Sequence, residues 1–230
     1  MKAKIIGFML LGLAGAALAI EPQELDNRIR ALTDKFEAFQ SHSDKCIPAE
    51  TLRNAQGIIL LDRTKAGFLF AYQGGGGVAL VKDPTLDSKW SPVAFFNASE
   101  ASLGFQIGGE QNFFIILLMN NNSTRMLIDP KFKFGGEASA TAGDNTSGVE
   151  TGPRAAPSVL VYDDHQGLYA GATLKGDALT PDKEANRVYY GKPLSMSDIL
   201  FDHKVQPTEA ASRLAGKIQE YSKNSKTAER

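Results

Sequence analysis

Hydrophobic positions in this chain change period twice, and the changes divide it into a helical head, a strand-rich middle and a helical tail. Over residues 21–41, Leu25, Ile29, Leu32, Phe36 and Phe39 recur at spacings of four, three, four and three. That spacing places them on one stripe of an amphipathic helix. Asp26, Arg30, Asp34, Lys35 and Glu37 fall on the opposite face, where mixed charge is what a helix docked on its own core shows to solvent. Membrane insertion, the other reading of such a helix, favours a polar face rich in lysine and arginine. A second, short helix is predicted for Pro48 to Gln56, with Pro48 at an early helical position and Gly57 as its stop.

Beyond Gly57 the apolar runs shorten to strand length. Ile58–Leu61, Gly67–Tyr72, Val78–Val81, Leu103–Ile107 and Phe113–Met119 are such runs, separated by glycine, asparagine, aspartate and proline. Gly74–Gly77, Gly108-Gly109 and Asn120–Ser123 read as the turns between them, which favours antiparallel pairing. Phe113–Met119 is apolar without interruption and so suits a central strand covered on both faces. Lys131-Phe132-Lys133-Phe134 alternates instead, with both lysines on one face of a strand and both phenylalanines on the other. Ser158–Tyr162 and Gly167–Leu174 form a further hairpin, and residues 144–157 read as a long surface loop. Helical periodicity returns over Pro181–Tyr190, Ser195–Phe201 and Pro207 to about Tyr221, the last carrying Ala211, Leu214, Ile218 and Tyr221. The pattern predicts one α+β domain: a curved antiparallel sheet, its closure into a barrel left open, flanked by N- and C-terminal helices.

The first nineteen residues follow a different logic. Lys2 and Lys4, the apolar run Ile5–Gly15 and Ala17-Leu18-Ala19 have the order of an export signal with a small-residue cleavage site. Cleavage would leave Ile20 at the new N-terminus, with no cysteine for a lipoprotein anchor. The expectation is therefore a signal peptide over 1–19 and a periplasmic or secreted domain over 20–230. Within that domain we expect a helix over 21–41, a core over 48–191 and C-terminal helices over 195–221.

Charge and chemistry narrow the function classes. A formal net charge of −1 argues against a nucleic-acid partner, which would demand a basic excess. Cys46 is the single cysteine, so an internal disulfide is excluded, and a small core residue is the expected role. His42, His165 and His203 are too dispersed for a local metal motif, and each reads as a surface or turn residue. Asp144-Asn145-Thr146-Ser147-Gly148 has its glycine one position early for a calcium loop and lacks the later glutamate. Gly74–Lys82 is followed by neither the catalytic-loop nor the metal-ligand motif of a kinase, and the P-loop pattern is absent. No Gly-x-Ser-x-Gly occurs, although a hydrolytic triad is defined by geometry rather than by sequence. Neither a cofactor nor a metal is expected.

What remains is a glycine-punctuated series. In order it runs Ile47-Pro48, Ala55-Gln56-Gly57-Ile58, Lys65-Ala66-Gly67-Phe68, Gly74-Gly75-Gly76-Gly77-Val78 and Trp90-Ser91-Pro92. It continues with Gly104-Phe105-Gln106-Ile107-Gly108, Lys131-Phe132-Lys133-Phe134-Gly135-Gly136-Glu137-Ala138-Ser139, Gly167-Leu168-Tyr169-Ala170-Gly171 and Asn186-Arg187-Val188-Tyr189-Tyr190-Gly191. This ordered set resembles the SYLF domain family, which includes yeast actin-patch proteins and lipid-binding endocytic proteins. The resemblance implies lipid binding without catalysis, since eukaryotic SYLF domains bind phosphoinositide-containing membranes and some bind and bundle actin. In some relatives the counterpart of the N-terminal helix inserts into membranes.

For this chain the leading expectation is a non-enzymatic module of the bacterial envelope that binds anionic lipid or another anionic component. A protein-interaction scaffold is the second reading, with actin binding confined to eukaryotic relatives, and a cryptic hydrolase a distant third. The candidate lipid-binding residues are Lys65, Arg125, Lys131 and Lys133, each worth roughly 1 kcal/mol beside an anionic surface. Lysines on an exposed strand more commonly serve solubility or block edge pairing. Gly67, Gly104, Gly135, Gly136, Tyr190 and Gly191 are expected to be structural.

Overall fold

A computed structural model describes residues 20–63, 76–83, 85, 90–98, 112–128, 158–164, 167–169 and 179–223. Seven strands form one antiparallel sheet: β1 (Gly57–Arg63), β2 (Gly76–Val81), β3 (Ala94–Ala98), β4 (Asn112–Leu118), β5 (Val159–Asp163), β6 (Gly167–Tyr169) and β7 (Leu179–Pro181). Their order is β6-β5-β4-β1-β2-β3-β7. The sheet is curved but unclosed, with β6 and β7 at its two margins among the described residues.

β1 and β4 lie side by side in the middle, Leu60 opposite Ile115 and Leu61 opposite Phe114. Because alternate side chains of a strand face opposite ways, their uninterrupted apolar runs supply two cores. Ile58, Leu60, Phe113, Ile115 and Leu117 join Val78, Leu80 and Phe95 on one face. Ile59, Leu61, Phe114, Ile116 and Leu118 join Ala79, Val81 and Phe96 on the other.

Helices cover each face. α1 (Pro22–Ser41), α2 (Ala49–Asn54) and α6 (Glu209–Lys223) cover the first. The whole predicted stripe of α1, Leu25, Ile29, Leu32, Phe36 and Phe39, is buried there, beside Leu52 of α2 and Leu214 and Ile218 of α6. The second face is covered by α5 (Met196–Leu200), through Met196, Ile199 and Leu200, and by Leu127. Leu127 belongs to a 3₁₀ turn, Met126–Ile128, that follows α3 (Asn121–Arg125).

α4 (Lys183–Tyr190) stands at the β3–β7 margin and serves both layers. Tyr189 packs against the first core and Tyr190 against the second. Asp182 caps the helix by accepting from the Ala185 N–H at 2.9 Å. Asn186 clamps α4 to β3. Its Oδ1 accepts from the Phe95 N–H at 2.9 Å, and its Nδ2 donates to the carbonyls of Phe95, 3.1 Å, and Asp182, 2.8 Å. Gly191 ends the helix at φ +67°, a left-handed conformation that glycine adopts without a Cβ penalty.

Several expectations are corrected by this arrangement. Gly76 and Gly77 lie inside β2 rather than in a turn, because β1 needs a close partner: a Cβ on Gly77 would stand 2.6 Å from the Leu60 carbonyl oxygen. Asn120–Ser123 opens α3, since the Asn120 side chain accepts from the Ser123 N–H at 2.9 Å and so starts a helix. Gly57 is the first residue of β1, and Pro181 belongs to β7 rather than to a helix. Cys46 is half-buried, with its thiol 3.9 Å from the Ser43 carbonyl, and is not a core residue. β3 and β7 carry no periodic signal long enough to have been expected. The strands expected at Gly67–Tyr72 and Leu103–Ile107, the Gly108-Gly109 turn, the Lys131–Phe134 alternation, the 144–157 loop and His165 lie outside the described residues.

Three tests follow from this packing. Gly77→Ala drives its methyl into backbone and should cost about 1–3 kcal/mol. Gly216→Ala, on an α6 position where a Cβ meets nothing within 4 Å, should gain about 0.5–1 kcal/mol. Urea denaturation of both variants separates the two. By the same measurement Asn186→Ala, which removes the acceptor of the Phe95 N–H, should cost about 1–3 kcal/mol.

α5 supplies a pH test. The Lys204 ammonium, with the Ser195 N–H and hydroxyl, holds the Asp198 carboxyl down at about 2, within a reciprocal capping box. A carboxylate whose folded-state pKa is depressed stabilises the fold above its unfolded value, about 3.9, and that contribution is lost as pH falls through the folded value. Thermal melts between pH 5 and 2 should therefore fall less steeply for Asp198→Asn than for the parent protein.

Candidate functional site

Of the ten residues singled out from sequence, three are described. Arg125 ends α3 and is exposed. Tyr190 donates its hydroxyl to the Val93 carbonyl at 2.6 Å, which ties α4 to the chain entering β3. Burial pushes this phenol far above its ordinary range, so it remains a donor. Gly191 is the α4 cap described above. Tyr190 thus ties α4 to the sheet and Gly191 ends the helix. Lys65, Lys131, Lys133, Gly67, Gly104, Gly135 and Gly136 lie outside the described residues.

The polar surface of the helical layer is largely neutralised from within. Lys217 of α6 reaches Glu37 of α1 at 2.6 Å, and Arg213 reaches Asp34 and Glu37 at 3.4 and 3.7 Å. Lys35 meets Asp62 at the end of β1 at 2.6 Å. Arg187 pairs with Glu184, Lys204 with Asp198, and His203 with Asp83 at 2.9 Å. His203 also sits at φ +52°, a left-handed position in the turn after α5. The mixed-charge face of α1 is therefore a face that knits α1 to α6 and to the sheet. Exposed pairs of this kind each contribute little stability, and some cations meet no carboxylate among the described residues.

Arg125 is one such cation: it meets no carboxylate among the described residues. Arg28 is another, and sequence reasoning did not single it out. It flanks the α1 stripe, half-buried, with its guanidinium 5.9 Å from the centroid of the Phe95 ring. Phe95 is met edge-on by Tyr189 at 5.0 Å, and Tyr189 meets Tyr190 at 5.1 Å. The Tyr189 hydroxyl bonds Asp26 at 2.6 Å and also contacts the Thr208 hydroxyl, joining α1, α4 and the start of α6. Burial, with the Asp26 carboxylate beside it, pushes the Tyr189 phenol far up and keeps it protonated. The Tyr189-Tyr190 pair was visible in the sequence. The hydrogen bond from Tyr189 to Asp26, 163 residues earlier in the chain, was not, because nothing local in either segment specifies the other.

No group of three or more His, Cys, Asp or Glu side chains converges as a metal site among the described residues. No helix among them is long and apolar enough to cross a membrane.

Comparison with known proteins places this architecture. A family model described as Ysc84, Las17-binding protein actin regulator, matches residues 99–221, the segment that includes β4 to β7 and α3 to α6. SH3 domain-containing YSC84-like protein 1 of Rattus norvegicus is 32% identical over 182 residues, covering 73% of this chain and 49% of that protein. The protein of the same name from Xenopus laevis is 32% identical over 198 residues, covering 82% of this chain and 58% of its own length. LAS seventeen-binding protein 3 of Saccharomyces cerevisiae is 28% identical over 177 residues, with 75% and 38% covered. The chain spans about half the length of the first of these relatives. With a family model matched over more than half of its residues, and with the glycine-punctuated core and the Asn186–Gly191 motif in place, the chain belongs to the Ysc84 family of SYLF domains.

Proposed function

We infer that this chain is a non-enzymatic binding module that engages an anionic lipid surface of the bacterial envelope. The observation that carries this reading is Arg125, exposed at the end of α3 without a carboxylate partner among the described residues, whereas Lys35, Arg187, Lys204, Arg213 and Lys217 are each paired. In sequence it is followed by Lys131 and Lys133, whose alternation with Phe132 and Phe134 would set both charges on one face of a strand. With Lys65 these residues would offer headgroups several positive charges. The α1 stripe contributes no apolar contact while it is docked, since all five of its residues are buried. Binding in this reading is electrostatic and salt-sensitive. Residues 1–19 deliver the protein to the periplasm, and its N-terminus there is Ile20.

A protein-scaffold reading is favoured by the relatives' names, one of which is an SH3 domain-containing protein and another a protein named for binding LAS seventeen. Under that reading lipid binding would be confined to relatives.

Co-sedimentation with vesicles decides between the two. The protein should bind phosphatidylglycerol vesicles, bind phosphatidylcholine vesicles weakly, and lose affinity with added salt. Joint reversal of Arg125, Lys131 and Lys133 to glutamate should weaken binding by at least about tenfold. If the parent protein ignores anionic vesicles at low salt, the lipid reading falls and the scaffold reading replaces it. Export is checked by N-terminal sequencing of periplasmic protein, where a chain still beginning at Met1 would overturn it.

A further inference from the structure

Among the described residues, Arg28 is held by contacts that satisfy none of its hydrogen-bonding capacity. One face of its guanidinium region is set by the Phe95 ring. On the β2 side it lies over Gly76: a Cβ there would stand 3.2 Å from one terminal guanidinium nitrogen, 3.5 Å from Cζ and 3.8 Å from Nε. Glycine at 76 thus leaves the space that this side chain occupies. Two nearby carboxylates are engaged elsewhere. Asp26, two residues earlier on α1, accepts from Tyr189 at 2.6 Å, and Asp62, opposite Gly76 in the β1–β2 ladder, accepts from Lys35 at 2.6 Å. No protein acceptor meets the five N–H donors of Arg28 among the described residues. A half-buried guanidinium loses part of its hydration, and its planar fork is matched to two oxygens of a phosphate or carboxylate.

We propose that Arg28 anchors an oxyanion site at the α1–β2 corner, binding a phosphoryl group through its guanidinium fork while α1 remains docked. The proposal rests on the anionic-ligand reading above and adds a specific contact that the diffuse charge of Arg125, Lys131 and Lys133 does not provide. The phosphoryl group arrives either on a lipid headgroup or on a soluble phosphate compound. Both sources present the same chemistry to Arg28. Side-chain recognition here needs no departure of the apolar stripe from the core, because Arg28 flanks the buried positions Leu25, Ile29 and Leu32 rather than joining them.

The test uses the full protein in two arms. In the first, inorganic phosphate is titrated at constant ionic strength while the arginine Nε–H resonances are followed by NMR. The Arg28 resonance should shift saturably. Arg28→Gln should weaken phosphate binding by about tenfold or more, and Arg28→Lys, which keeps the charge but loses the fork, should fall between. In the second arm, vesicles of phosphatidic acid in phosphatidylcholine are compared for the parent protein, Arg28→Gln and the Arg125, Lys131, Lys133 reversal.

An Arg28 resonance that does not move with phosphate, or phosphate affinity unchanged in Arg28→Gln, overturns the site. If that occurs while the parent protein still binds vesicles, the membrane reading stands and this inference fails. Saturable phosphate binding by a parent protein that ignores vesicles supports the site with a soluble ligand and removes the membrane reading. Should Arg28→Gln fail to fold, the resonance shift in the parent protein decides alone.

Discussion

Burial of the β1–β4 ladder on both faces is the constraint on which the rest of this structure depends. Ile58 to Leu61 and Phe113 to Leu118 are almost entirely removed from solvent, so neither face of the sheet centre can be left to water. Each buried side chain of this size gains roughly 1.5–3 kcal/mol from leaving water. The helices are arranged as the covers that this demands. α1, α2 and α6 close one face, and α5 with the turn around Leu127 closes the other. α4 holds the layers together at one margin, where Asn186 bonds the β3 backbone and consecutive tyrosines enter opposite cores.

That constraint settles what α1 contributes. An amphipathic helix is equally suited to a membrane surface and to a protein core. Here its stripe is committed to the core, and its polar face is committed to Lys217, Arg213 and, across the Tyr189 hydroxyl, to Thr208. Recognition by the docked domain therefore falls to polar groups left over from these internal pairings. Arg28 and Arg125 are such groups among the described residues, and they differ in kind. Arg125 is an exposed charge, suited to long-range attraction, whereas Arg28 is fixed against an aromatic face and a glycine backbone, suited to a directed contact.

The relatives are named for a partner or a domain that they carry rather than for a reaction. Among the described residues, glycines of the signature serve the backbone. Gly77 admits the Leu60 backbone and Gly191 ends α4, each meeting a requirement of close packing or chain reversal. A signature made of packing glycines specifies an architecture on which surface residues are free to set the ligand.

The sequence by itself determined the elements whose periodicity is long or uninterrupted. α1, α6, the doubly covered β4 and the β5–β6 hairpin were all legible, because each carries its burial pattern within one contiguous segment. The setting of Gly76 and Gly77 was not legible: they look like a turn until β1 is placed against them, and only then does a close approach replace a chain reversal. β3 and β7 were hidden because five and three residues hold too little pattern to exceed the noise. The site shows the same division more sharply. Arg125, Lys131 and Lys133 could be named from local alternation and turn position, whereas Arg28 could not, for its environment is made by Phe95 and Gly76 from two distant segments. Tertiary structure alone decided which charges find partners inside the fold, because pairing depends on distances of a few ångströms that no one-dimensional spacing encodes.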